Sequence, residues 1–359
     1  MWLQHVVTLQ FRKLFLIMLC LVMIHSFAYA AEPQASNAES LQPDMVNPGY
    51  HEKPSWFKES FLDLREDIQE ATENKKRVLL YFYQDGCPYC SKLLQDNLGQ
   101  KKLADKTRKY FDVIAINMWG DKEVTDLNGQ HTTEKKFTEQ MKVMYTPTLV
   151  FLTEKGQVAL RVNGYYAPNK FESALDYVHG KNERKISFRN YSRKFMKESS
   201  SGKLHLQSFI LKPPYNLKKL LTSSKPLMVL FEQKKCHSCD ELHNDIFKRK
   251  ETIQQINRFN VVRLDMWSNE ELIDVQGKTM SAKSWAKKLN VSYSPTFIFF
   301  DGEGKDIFHI DAYLKSFHIQ SVMDYIASGA YKNQPNFQRY IGARADKLEA
   351  QGVHVDLMD

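Results

Sequence analysis

The two halves of this 359-residue chain align with one another at an offset of 148 or 149 residues. Tyr81-Phe82 ahead of Cys87 matches Leu230-Phe231 ahead of Cys236, and Met118-Trp119 matches Met266-Trp267. Val143-x-Tyr145-Thr146-Pro147-Thr148 matches Val291-x-Tyr293-Ser294-Pro295-Thr296. Asp176-Tyr177 matches Asp324-Tyr325, and Phe188-x-x-Tyr191 matches Phe337-x-x-Tyr340. Chance does not easily supply so many ordered coincidences with a single one-residue slip, so the chain reads as two copies of one domain. So long a period is a tandem duplication, not a solenoid. Length agrees, at roughly 150 residues per domain, and each half can bury its own core. Hydrophobic residues at 43% and charged residues at 26% exclude wholesale disorder, collagen and coiled coil. The net charge of +8 is spread among acids. A nucleic-acid partner calls for a concentrated basic face, so none is expected.

Residues 1–30 read as a signal peptide. Arg12 and Lys13 precede the uncharged run Leu14–Ile24, and Ala28-Tyr29-Ala30 offers small residues for cleavage after Ala30. The competing reading is an uncleaved anchor, for which the run is short of the ~20 residues of a spanning helix. Cys20 follows the bulky Met18 and Leu19, which speaks against lipidation there. Of the five cysteines, the other four fall as Cys87-x-x-Cys90 and Cys236-x-x-Cys239. A disulfide framework in a chain this size bridges distant segments. Rings closed within C-x-x-C would remove little entropy from the unfolded chain, so redox chemistry explains them better than stabilisation. A zinc site shared by both pairs is disfavoured, because such pairs normally stand about 15–20 residues apart.

Composition divides the rest. Residues 31–50 form a polar, Pro-bearing leader, residues 51–200 the first domain and residues 201–359 the second, with Glu198–Gly202 as the joint. Within the first copy the periodicity predicts a helix over Phe57–Thr72, a buried strand over Arg77–Tyr83 and a helix from Pro88 to about Leu98. Strand Phe111–Asn117, helix Thr132–Met141, strands Thr148–Leu152 and Val158–Val162 and helix Pro168–His179 follow. The second copy carries strands near Leu227–Glu232, Val261–Met266, Thr296–Phe300 and Ile307–Ile310. The order β-α-β-α-β-β-α describes an α/β fold, a small mixed sheet sandwiched by helices in each copy. Lys181–Lys197 and Lys332–Gln351 read as helical appendages closing each copy.

A strand, a C-x-x-C opening a helix, and a Thr/Ser-Pro-Thr opening a later strand make each half resemble a thioredoxin-like domain. QDGCPYCSKL, the Asp126–Gln130 insertion, YTPTLVFLTEKGQ and GYYAPNKFESALDYV are more narrowly similar to the SoxW-type periplasmic thioredoxins. That resemblance covers most of Ser55–Tyr191 and, more loosely, Leu204–Tyr340. It implies redox-active disulfides Cys87–Cys90 and Cys236–Cys239 as the reacting groups, with no metal or organic cofactor. The dipole of a helix N-terminus favours a thiolate there. Cys87 and Cys236 are therefore assigned as attacking thiols, with Cys90 and Cys239 resolving the mixed disulfide. Pro147 and Pro295 are implied to be cis and, with Thr146 and Ser294, to leave backbone free for an extended substrate strand.

The copies also differ. Pro88-Tyr89 separates the first pair and His237-Ser238 the second, where Lys234-Lys235 adds positive charge. Tyr81 and Leu230 stand where thioredoxin proper carries a buried acid. Trp119 and Trp267 are expected in core or rim packing, and His131, His243 and His318 have no ligand spacing. The expected function is that of an exported thiol:disulfide oxidoreductase reducing periplasmic protein disulfides. Its electrons would come from a membrane donor of the DsbD or CcdA type. An oxidase or isomerase, or a thiol-based copper or zinc carrier, is the alternative.

Overall fold

A computed structural model describes Tyr50 and residues 52–195 and 199–357. The signal peptide with Cys20, nearly all of the leader, and Glu198 of the expected joint lie outside the described residues. In the first copy, Asp63 accepts the N–H groups of Arg65 and Glu66 and so starts helix α1 at Leu64–Glu73. This start is later than the expected Phe57, because Leu62 adopts φ 63°, a left-handed turn that no helix continues through. Leu64, Ile68 and Ala71 recur at helical spacing and bury one face. Strand β1, Arg77–Tyr83, is aliphatic and aromatic after Arg77 and almost wholly buried.

Cys87 caps helix α2, Pro88–Lys92, which runs on as a π-helical turn over Leu93–Asn97. Helix α3, Lys101–Tyr110, follows and was not expected: among its ten residues only Leu103 and Thr107 are buried, too few to show a periodic stripe. Strand β2 spans Phe111–Asn117. The strands β3, Glu123–Thr125, and β4, His131–Thr133, then make a small hairpin around the Asp126–Gln130 insertion. Its turn is tied by Asp126, whose carboxylate accepts the N–H groups of Asn128 and Gln130. The hairpin takes Thr132 and Thr133 from the expected helix, so α4 covers Glu134–Gln140 with Thr133 as its cap. Strands β5, Thr148–Leu152, and β6, Val158–Asn163, and helices α5, Pro168–His179, and α6, Phe188–Phe195, complete the copy.

The second copy repeats the plan. It has α7 (Leu217–Leu220), β7 (Leu227–Glu232), α8 (His237–Asn244), α9 (Lys250–Ile256), β8 (Asn260–Asp265), β9 (Glu271–Ile273) and β10 (Thr279–Ser281). Then come α10 (Ala282–Lys288), β11 (Thr296–Phe300), β12 (Asp306–Ile310), α11 (Ser316–Ala327) and α12 (Phe337–Ala350). The main sheets are ordered β2-β1-β5-β6 and β8-β7-β11-β12. In each, the first two strands run parallel and the others antiparallel, as the mixed-sheet reading requires. On one side of the first sheet, Val78, Leu80 and Phe82 pack with Ile68, Phe137 and Val150. Val229, Phe231 and Ile298 pack with Trp285 in the second copy. These cores hold rigid the strand ends from which the cysteine turns emerge.

Candidate active site

At the end of β1 the chain turns through Gly86, at φ 72°, and presents Cys87 in extended backbone as the cap of α2. Cys87 and Cys90 form a disulfide with their Cα atoms 5.2 Å apart, and the Cys90 N–H donates to Cys87 Sγ at 3.1 Å. From the segment before β5, Thr146 donates its hydroxyl to Cys87 Sγ at 3.2 Å, and its carbonyl oxygen lies 3.4 Å from the same sulfur. The Thr146–Pro147 bond is cis.

The second copy reproduces the arrangement. Cys236 and Cys239 form a disulfide, the Cys239 N–H donates to Cys236 Sγ at 3.1 Å, and the Ser294 carbonyl oxygen lies 3.5 Å from that sulfur. The Ser294 hydroxyl stands between the two sulfurs, 3.5 Å from Cys236 and 3.3 Å from Cys239, and Ser294–Pro295 is cis. On reduction, each first sulfur keeps an N–H donor and a hydroxyl donor, and hydrogen bonds to the charged form favour the thiolate.

Beneath the sulfurs the copies differ. Burial pushes the Tyr81 phenol far above its ordinary pKa, and its hydroxyl has no partner among the described residues. In the second copy Leu230 fills that place, but a buried acid is present two residues further along β7. The Glu232 carboxylate accepts from His243 Nε2 of α8 at 2.8 Å, and its other oxygen has no partner among the described residues. The sequence reading gave His243 no ligand role and Glu232 only the end of a strand. The available signal was the period of two, which puts Glu232 on the face that Leu230 buries.

Both copies lie in one compact unit, and residues between the cysteines of each pack against the other copy. Tyr165 and Tyr313, equivalent positions of the two copies, pair their backbones in an antiparallel bridge. Asn163 and Asp311, also equivalent, join at 2.9 Å, with the Tyr145 hydroxyl donating to Asp311 at 2.8 Å. Contacts between equivalent positions are the mark of a two-fold interface, here between two halves of one chain. Gly164 permits the approach: a Cβ there would come within 2.4 Å of the Ala312 Cβ.

The cover over the disulfides is reciprocal. Tyr89, between the first two cysteines, accepts the Lys315 N–H at 2.9 Å and packs edge-on against His318. Ser238, between the second two, meets Lys170 Nζ at 3.4 Å, and Lys170 is the first copy's counterpart of His318. Cys87 is thereby 3% exposed and Cys236 1%. The appendages do more than close their own copies. The Arg189 and Arg193 guanidiniums of α6 stand over the Trp267 ring, and Arg339 of α12 stands over Trp119. His131 is exposed and pairs with Glu123. Among the described residues no group of three or more His, Cys, Asp or Glu is arranged to hold a metal ion.

A dithiol whose first sulfur is held by a helix-terminal N–H and a hydroxyl, on an α/β scaffold of this order, is equipped for exchange with other disulfides. In class, the protein is a thiol:disulfide oxidoreductase. The chain belongs to the thioredoxin-like family, whose model, described as a thioredoxin-like domain, matches residues 64–179 and again 214–327. No curated protein matches the chain. Among solved structures, it is similar to a thioredoxin-fold protein from Helicobacter pylori at 21% identity, covering 38% of this chain and 92% of that one, with a TM-score of 0.30. A thioredoxin from Thermus thermophilus is similar at 21% identity, over 32% of this chain and 83% of its own, with a TM-score of 0.27. A disulphide isomerase from Xylella fastidiosa is similar at 16% identity, over 37% and 85%, with a TM-score of 0.22.

Proposed function

We propose that this protein is an exported reductase of protein disulfides, in which Cys87 and Cys236 attack and Cys90 and Cys239 resolve. The observation that carries the reading is repeated in both copies. A first cysteine receives the N–H of its resolving partner and lies 3.2–3.5 Å from the hydroxyl of a Thr- or Ser-Pro segment. In the reaction, the first thiolate attacks a substrate disulfide, forming a mixed disulfide and releasing one substrate thiol. The second thiolate then displaces the other, so the substrate gains two electrons and the C-x-x-C pair is oxidised.

Thr146-Pro147 and Ser294-Pro295 guide the substrate backbone as an extended strand. The basic and apolar N-terminal sequence supports export to the periplasm, and the likeness to SoxW-type thioredoxins supports the reducing direction. A membrane thiol transporter of the DsbD or CcdA type supplies the electrons. Electrons pass between centres through a Cys87–Cys236 mixed disulfide, a step that the packing of the two copies against each other supports. Lys234, Lys235 and His237 favour a Cys236 thiolate, making the second centre the more oxidising and the receiver.

The test has two parts. Cys90→Ser and Cys239→Ser should accumulate covalent substrate complexes, and Cys87→Ser and Cys236→Ser should not. Titration of single-pair variants against glutathione should give potentials near about −270 mV, with the second centre higher, whereas values near about −120 mV would mark an oxidant and overturn the direction. Equal potentials would leave two independent reductases rather than a relay.

A further inference from the structure

A cleft of about 570 Å³ opens beside the second centre and nowhere touches an acidic wall except at Asp265. The second copy lines it with Lys234 and Lys235, both exposed, and with Ser294, whose hydroxyl meets the Cys236 and Cys239 sulfurs. The first copy adds Lys170, Arg189 and Arg193. The cleft is therefore a property of the tandem: neither copy alone supplies its walls.

Five cations face one carboxylate there. Among the described residues no ion pair joins Arg189, Arg193, Lys234 or Lys235 to an acid. Arg189 is only 8% exposed, and its Nη groups donate to the Met266 and Lys283 carbonyls. Its Nε has no partner among the described residues. Burial, and the Arg193 charge beside it, pull the Arg189 pKa down to about 10. Both guanidiniums stand over the one Trp267 indole, at 4.2 and 4.3 Å from its centroid. An incoming carboxylate would relieve that like-charge crowding.

Around the first centre the equivalent positions carry no Lys or Arg, although Arg339, one residue on from the first of them on α12, stands over Trp119. Asp85 and Gly86 stand for Lys234 and Lys235, Gln338 and Gly342 for Arg189 and Arg193, and His318 for Lys170. The cluster of five cations belongs to one centre, not to the fold.

We propose that this cleft seats an acidic polypeptide segment adjoining the substrate's own cysteine, making the second centre selective for acidic disulfide substrates. The proposal rests on the redox reading above for its reaction and on the cleft for its selectivity. A peptide rather than a simple anion fits, because the Trp267 and Tyr293 rings share the lining with the cations and the cleft ends at the Ser294 segment beside the disulfide. Once the Lys170–Ser238 cover moves aside, the reaction is unchanged: Cys236 bonds to the substrate sulfur, the substrate disulfide breaks, and Cys239 then closes on Cys236 as the second substrate thiol leaves.

The experiment uses the full chain with Cys87→Ser and Cys90→Ser, reduced beforehand, so that only the second dithiol reacts. Two disulfide-bridged peptides are offered that differ only in flanking Asp/Glu or Asn/Gln. Single-turnover oxidation by the acidic peptide should be about tenfold faster at low ionic strength, with the gap closing as salt is raised. Arg193→Glu with Lys234→Glu should invert the preference; both side chains are exposed, so the fold is spared. In parallel, a cysteine-free acidic peptide should quench or shift tryptophan fluorescence of the oxidised chain, and its Asn/Gln counterpart should not. Equal rates and equal binding of the two peptides overturn the inference and leave the reductase reading intact. Acidic-selective binding without exchange from either peptide upholds the cleft and overturns the redox role of this centre.

Discussion

Glu232 and His243 form a pair with side chains 1% and 0% exposed, joined at 2.8 Å beneath the helix that carries Cys236 and Cys239. Removing one partner strands the other in a dry site, whereas removing both leaves an apolar site to fill. His243→Ala is therefore expected to cost about 3 kcal/mol or more of unfolding free energy. Glu232→Leu combined with His243→Leu should cost much less, and urea unfolding of the single and double variants measures the coupling. Additive losses would mean that the pair acts through packing alone. At this scale the four cysteines, the two prolines and the hydroxyls before them were legible, because the chemistry names its own residues. Glu232 was not, since the place where an acid was sought holds Leu230, and only the strand's alternation links the two.

Arg77, at the start of β1, ties three elements of the first copy together. It pairs with Glu154 in the β5–β6 turn at 3.0 Å, with Glu183 after α5 at 2.9 Å, and donates to the Val178 carbonyl at 2.7 Å. Arg77 holds the Glu154 carboxyl far below the ordinary range, with Lys181 assisting. A lowered carboxylate pKa contributes stability that is complete above the unfolded value of about 4.3 and is lost as pH falls through the folded value. Arg77→Ala should cost about 3 kcal/mol at pH 7, and the deficit against the parent should shrink in acid. Urea midpoints from pH 7 to pH 3 check it, and a pH-independent deficit would assign the loss to packing. Among elements, the strands of the main sheets were readable because buried β-branched runs have few rivals. Helix α3 was not readable: a two-residue buried face leaves no stripe, and its position against the sheet decides it.

In the whole molecule, each disulfide is covered by the other copy. Asp311 accepts from Tyr145 and Asn163 at the pseudo-two-fold centre, and loss of a charged hydrogen-bond acceptor weakens such a joint by about 1.5 kcal/mol or more. Asp311→Ala should therefore speed reduction of Cys87–Cys90 by a phosphine reductant about tenfold, read by thiol labelling. An unchanged rate would mean that reductant reaches the sulfurs without the copies parting.

Acid should act in the same direction. Burial against Tyr89 pulls the His318 pKa down to about 4, below its ordinary value of about 6.5. The neutral ring is the form that fits, so its contribution to the interface is full above about pH 6.5 and declines as pH falls toward 4. Phosphine reduction should accelerate over that window in the parent chain and less so in His318→Phe. A matching acceleration in the variant would assign the acid effect elsewhere.

The sequence by itself determined the duplication, the class of fold and the redox residues. Repeats, buried strands and C-x-x-C pairs are local patterns, and local patterns survive being read one residue at a time. That the copies stand face to face, with Tyr89 under His318 and Ser238 under Lys170, was decided only by the tertiary structure. So were the basic cleft shared between α6 and the second centre and the burial of Glu232 against His243. The face-to-face arrangement and the cleft join residues far apart along the chain, brought together by the packing of the two copies, whereas the Glu232–His243 pair joins strand β7 to helix α8 within one copy.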